Sequence, residues 1–376
     1  SLDPSGHGTH AAGIAAGNGA ASQGIYRGIA YEASLLVVKL APRSPLGFPQ
    51  TTQIMEAVDF CIRKSIELKM PVSINLSLGN TYGSHSGTSL LETYLNDVQG
   101  VYKTNIIVGS GNEGSSNGHT GGLLTNRNET IELSIGDFTP NLTIQLWKKY
   151  WDTVDITIEA PSGQSARLDL STGVQRLNLD STSLYITNSP PSPYSIFEET
   201  YIDMLPTASY VSSGVWKIIL SPIQIKDGQF DLWLPSATAR NASTGFLASL
   251  PETTLTIPST ACKVITVGAY NSYSDTLAAF SGRGFTWSTD FKKPDLVAPG
   301  VDIISCAAGG GYSSKTGTSM ATPFVTGACA LLMEWGIVSE NNPYMYGERI
   351  KAALIQGTRR LPFMSTLPSP EAGWGA

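Results

Sequence analysis

The sequence changes its hydrophobic period twice. From residue 34 to about residue 118, short apolar runs alternate with amphipathic stretches of helical period. From about residue 119 to residue 257 the helical period is gone and only short alternating runs remain, and from Lys263 the first rhythm returns. A chain with this pattern predicts one domain interrupted by another, because the two flanking parts share a layer architecture that the middle lacks.

In the first part, Ser34–Leu40 reads as a buried strand and 51–69 as an amphipathic helix with Ile54, Val58, Cys61, Ile62 and Ile66 on one side, stopped by Pro71. Val72–Gly79 reads as the next strand, Leu90, Leu91, Tyr94, Leu95, Val98 and Tyr102 as a second helical stripe, and Asn105–Val108 as a third strand. Strands separated by helices of this length imply parallel crossovers, hence an α/β sheet covered on both faces. The middle holds alternating runs at Ile131–Ile135, Leu142–Leu146, Val154–Ile158, Val215–Ile219 and Phe230–Leu234. Turns such as Ala160-Pro161-Ser162-Gly163 and Asn188-Ser189-Pro190-Pro191 divide them, which predicts an all-β sandwich of jelly-roll type. Lys263–Ala269 resumes the α/β pattern. The expected division is therefore 1–118 and 258–376 for the split α/β domain and 119–257 for the insert.

Composition narrows the function classes. In 376 residues, 41% are hydrophobic and 14% charged, which describes a globular chain and not a disordered one. A net charge of -6 without a basic run argues against nucleic acid or an anionic membrane as partner, and no apolar run reads as a membrane span. Cys61, Cys262, Cys306 and Cys329 stand singly in apolar surroundings without metal-type spacing, so they read as free thiols; no metal or cofactor is expected.

Chemistry concentrates in three short segments. Gly317-Thr318-Ser319-Met320-Ala321-Thr322-Pro323 places a serine among small residues where an apolar helix begins. Gly6-His7-Gly8-Thr9-His10-Ala11-Ala12-Gly13 brackets a histidine with glycines. A serine is a poor nucleophile until a base takes its proton, and a histidine brought within hydrogen-bond reach can do so. Ser319 alone could be a helix cap, and His10 reads as structural, since no third ligand accompanies the pair. Val108-Gly109-Ser110-Gly111-Asn112-Glu113-Gly114 follows a strand, and its Asn-Glu-Gly reads either as a turn or as a polar donor aimed at the site.

Together these segments resemble the subtilisin-like serine proteases. The resemblance implies a subtilisin-like parallel sheet, with Ser319 as nucleophile, His7 as general base and Asn112 as oxyanion donor. It further implies that Ser77, Leu78 and Gly79 pair with substrate backbone, while Gly111 leaves room for the side chain before the cut. The family order is Asp, His, Ser, with the Asp on a separate early strand. Asp3 is the only acid before His7 and reads as a solvated loop residue, so the acid is expected upstream of the chain, on a segment that also supplies a strand. Gly373-Trp374-Gly375-Ala376 resembles the stretch before the last helix of such domains. The run from Val72 to Ser89 and the insert behind Asn112 look like the Csp proteases of clostridial spores and their bacterial relatives. That likeness implies a protein or peptide substrate, a propeptide or N-terminal segment of the same gene product as partner, and activation of a zymogen, in a bacterial cytoplasm or spore. A pseudoprotease scaffold, or a binding module working through the insert, are the alternatives.

Overall fold

The computed structural model describes residues 3–40, 48–171, 173–189, 195–285 and 292–376. The chain divides into two compact units: residues 1–80, 85–114 and 254–376 form the first, and 81–84 with 115–253 the second.

The first unit is built on a parallel sheet. Strands β1 (Val72–Leu76), β2 (Thr104–Gly109) and β14 (Ile265–Asn271) lie side by side, β18 (Leu296–Pro299) continues from β14, and the short β15 (Thr276–Leu277) pairs antiparallel with β14. All six residues of β2 are buried, as expected of a central strand covered on both faces. Two-stranded ribbons β16 (Gly284–Phe285) with β17 (Lys292–Lys293) and β19 (Ile303–Cys306) with β20 (Tyr312–Lys315) complete its strands.

Helices α1 (His7–Ala16), α2 (Thr51–Leu68), α3 (Leu90–Val98), α4 (Thr318–Met333) and α5 (Glu348–Gly357) belong to this unit. A reciprocal Ser89–Glu92 capping box opens α3. Ile54, Val58, Cys61 and Ile62 of α2 are buried as their spacing predicts, but Ile66 is exposed. With its π-helical extension α4 runs Thr318–Val338, 21 residues long and apolar enough to cross a bilayer, which the sequence reading had excluded; half of that stretch is buried, as in a core helix.

One expectation fails here. Ser34–Leu40 joins no sheet, and Leu35, Leu36, Val37 and Val38 are exposed. A buried strand needs ladder partners, and none of the described strands pairs with this run.

The sheet also buries charge. Fully buried Lys293 donates from Nζ to Thr266 Oγ1 at 2.7 Å, Val264 O at 3.1 Å and Asp295 Oδ2 at 3.2 Å, and Lys351 Nζ meets Asp295 Oδ1 at 2.8 Å. Burial pushes the Lys293 ammonium down to about 7, against the pull of Asp295.

The second unit is antiparallel throughout. One sheet has the order β3 (His119–Leu123), β12 (Gln229–Trp233), β5 (Leu142–Lys149), β10 (Phe197–Pro206), β9 (Thr182–Ser189), β8 (Val174–Leu179). The other has the order β13 (Gly245–Phe246), β4 (Glu129–Ile135), β11 (Gly214–Gln224), β6 (Thr153–Glu159), β7 (Ser165–Arg167). Alternate residues from both sheets, among them Leu133, Leu146, Ile156, Ile202, Ile218 and Leu232, meet in one core. Trp216 and Trp233 are buried, each indole N–H donating to a backbone carbonyl. Of the anticipated turn at Asn188–Pro191, the two prolines lie outside the described residues.

Candidate active site

Helices α1 and α4 lie side by side and run the same way. Just before them, Lys315 Nζ donates to Ser5 O at 3.4 Å; further along, a Cβ placed on Gly327 would come within 2.8 Å of Ala15 O. Only glycine permits that approach. Contacts at both places fix the direction, so His7 and Ser319 stand at matching levels in the first turns of parallel neighbours.

The turn holding Ser319 is tied to the end of β1. Pro323 sits inside α4 and has no N–H for the carbonyl of Ser319, four residues earlier. Ser77 supplies the missing donor: its Oγ donates to Ser319 O at 3.1 Å. In return Ser319 Oγ donates to Ser77 O at 3.4 Å. Asn75 Nδ2 donates to Ser77 Oγ at 2.9 Å, and Thr326 Oγ1 donates to Asn75 Oδ1 at 3.0 Å, so a polar chain runs from the middle of α4 back to its start.

Asn112 stands exposed beside this turn. Its Oδ1 accepts from Thr318 N at 3.0 Å and Thr318 Oγ1 at 3.1 Å, which fixes the side chain and leaves Nδ2 without an acceptor among the described residues. The Ser319 N–H belongs to the first turn of α4, where helix geometry offers no carbonyl. Two donors are thus held next to the serine hydroxyl.

His7 is half-buried. Burial lowers its pKa, the Lys315 cation pushes the same way, and the Asp3 carboxylate opposes both. No carboxylate hydrogen-bonds the His7 ring among the described residues. Asp3 stays in a loop and partly exposed, as the sequence suggests, but its carboxylate is engaged. Its carboxylate accepts from Thr9 N and Thr9 Oγ1, both at 2.8 Å, and from Gly6 N and Ser5 Oγ, both at 3.1 Å. These bonds, the Thr9 amide first, hold its pKa at about 2 and pin the turn that carries His7. His10 is fully buried, with Nε2 at 3.0 Å from both Ile303 O and Ser313 O, a structural clasp on the β19–β20 ribbon.

Ser77, Leu78 and Gly79 leave the sheet half-buried, and the N–H groups of Leu78 and Gly79 find no backbone acceptor among the described residues. The direction in which a side chain at Gly111 would project is occupied. Thr256 fills it: a Cβ on Gly111 would lie 2.4 Å from Thr256 Cγ2, and one on Gly79 2.3 Å from Thr256 Oγ1. Both glycines therefore make way for a threonine, and no feature of the sequence connects Thr256 with segments so distant along the chain. Thr318, which orients Asn112, was hidden in the same way inside the serine motif.

The profile of the subtilase family matches residues 1–193 and 241–375, most of the chain. The chain belongs to the subtilase family. The fold of this subtilase matches the solved CspB protease of Clostridium perfringens at a TM-score of 0.92 and 39% identity, over 99% of this chain and 78% of that one. Sphericase, at 16% identity and a TM-score of 0.54, shares the fold alone, over 100% of this chain and 77% of that one. Among curated serine proteases, AprX of Bacillus subtilis is 37% identical over 125 residues, 28% of this chain and 27% of its own length. The thermophilic serine proteinase of Bacillus sp. strain AK1 is 51% identical over 73 residues, 19% of this chain and 16% of its own. This subtilase thus spans about a quarter or less of the length of those curated relatives.

Proposed function

We propose that the chain is the larger part of a serine endopeptidase in which Ser319 attacks the scissile carbonyl and His7 accepts its proton, later returning it to the leaving amine. The observation that carries this reading is the matching level of His7 and Ser319 on two parallel helices, with the Asn112 amide fixed beside them. A change of χ1 rotamer at Ser319 would give up its long bond to Ser77 and free the hydroxyl for His7. Asn112 Nδ2 and the Ser319 N–H receive the oxyanion. The open N–H groups after β1 hold an extended substrate as an added strand, and Thr256 forms the wall between Gly79 and Gly111.

The acid of the triad comes from sequence outside this chain. Two observations support that: no carboxylate reaches His7 among the described residues, and the exposed apolar run Leu35–Val38 is what a strand without its neighbour leaves. By likeness to the Csp proteases, the substrate is a protein zymogen cut at an extended segment; the short β runs of the jelly-roll insert, with a core of their own, suggest that it adds stability.

A fluorophosphonate probe tests the assignment on the full-length protein. Labelling is expected at Ser319 and disappears in His7→Ala. Labelling at any other serine refutes the assignment.

A further inference from the structure

The first sheet of the second unit has one face in the apolar core and one turned away from it. Cross-strand register puts Glu199 opposite Trp147, Tyr201 opposite Gln145 and Asp203 opposite Thr143, so Trp147, Glu199, Tyr201 and Asp203 share the outer face. Residues Thr81–Ser84 lie over one part of it, through Tyr82 OH to Thr143 Oγ1 at 3.2 Å and Gly83 N to Gln145 Oε1 at 2.9 Å. Asp203 and Tyr201 lie beside that cover and Trp147 and Glu199 further along the strands, and all four are half-exposed.

The two acids are anomalous. Among the described residues neither Glu199 nor Asp203 has an ion pair or a hydrogen bond, in a unit where other acids such as Glu159, Asp227 and Glu198 are paired with lysines. Neighbouring charges are already committed. Lys149 meets Asp227 at 2.6 Å, Asp231 meets His119 at 2.7 Å, and Arg176 lies over the Tyr185 ring at 5.4 Å. Half-burying a carboxylate without a partner costs free energy that an incoming cation recovers. Burial alone raises Glu199 to about 7, burial raises Asp203 too, and Tyr201 is pushed up to about 12 by burial and by the hydroxyl of Tyr82 and the carboxylates of Asp203 and Glu199.

We propose that this face binds an extended peptide segment bearing arginine or lysine side chains, their cationic groups seated on Glu199 and Asp203 against the rings of Trp147 and Tyr201. The geometry suits such a ligand. Glu199 and Asp203 are four residues apart on one strand, about 13 Å, which matches two basic side chains four residues apart on an extended chain. Trp147 and Tyr201 present aromatic surface next to the acids, which cations favour. A saccharide would also stack on these rings, but it would leave both carboxylates without a counter-charge.

Calorimetric titration tests this on the chain carrying Ser319→Ala, which keeps the ligand intact and takes no readout from peptide cleavage. The probes are a blocked pentapeptide with arginine at both ends of three alanines, its citrulline counterpart, and a chito-oligosaccharide. The arginine peptide is expected to bind saturably, at least tenfold more tightly than the citrulline peptide. Because the cation favours ionised Glu199, affinity rises by about tenfold from pH 6 to pH 8 and levels off above it. Glu199→Gln weakens binding and removes that slope; if the variant fails to fold, the pH dependence and citrulline comparison on the Glu199 protein decide alone. Equal binding of the two peptides, no binding of either, a flat pH profile or a preference for the saccharide overturns the proposal.

Discussion

The two units are held together by different means. In the second, twenty-five buried apolar residues among those described form one continuous core to which alternate positions of both sheets contribute. In the first, the apolar clusters share the interior with ions and polar chains: Lys293, Asp295 and Lys351 around β14 and β18, Glu92 bonded to Thr260, and the Thr326–Asn75–Ser77–Ser319 path under α4. A dry core tolerates change in proportion to the volume lost. A buried ionic interior does not, since removing one member leaves the others charged and unsatisfied. The second unit buries charge as well, His119 against Asp231 and Lys148 against Glu198, but in simple pairs, where the first has a cluster of three.

The largest effect expected is for Asp295→Ala, which leaves two buried lysines without their anion and should cost about 3–5 kcal/mol in urea denaturation. A cost well below about 3 kcal/mol would break the contrast. Asn112→Ala should lower turnover of the full-length enzyme by about a hundredfold to a thousandfold, the range found when a subtilisin loses this kind of donor, while the melting temperature stays unchanged. Unaltered turnover would take Asn112 out of the site.

In the second unit, Leu133→Ala should cost about 3 kcal/mol by opening a cavity in the sandwich, with cleavage kinetics unaffected. A change in kinetics would show that the two interiors are not separate in their effects. Smallest is Asp3→Ala, about 1 kcal/mol for the lost cap. Because the Asp3 pKa is depressed to about 2 from 3.8, its stabilisation is present above pH 4 and lost as pH falls through about 2. Parent and variant should differ fully at pH 5 and converge in acid; a gap undiminished at pH 2 would assign the effect to something other than the carboxylate.

The legibility of the two units differs for the same reason. Strict alternation in Ile131–Ile135, Leu142–Leu146 and Val154–Ile158 writes the sandwich into the sequence, because each strand needs one apolar face whatever its partner. β10 was harder to find: Glu198 and Glu199 are adjacent acids on opposite faces, and its alternation is clear only from Thr200 onward. In the first unit, the motifs around His7, Asn112 and Ser319 were readable since their small residues follow from local geometry. Thr256, the Asp3 cap and the exposure of Ser34–Leu40 depend on what the chain brings alongside, and periodicity contains no such information.

Pro323 shows what this means for anyone redesigning the protein. Judged by helix propensity alone it is a fault in α4, and a stabilising screen would replace it with alanine. Alanine would bring an amide that competes with Ser77 for the Ser319 carbonyl, and the end of β1 would lose its fastening to the serine turn. The apparent imperfection is a joint, and a sturdier helix would be bought with a looser cleft.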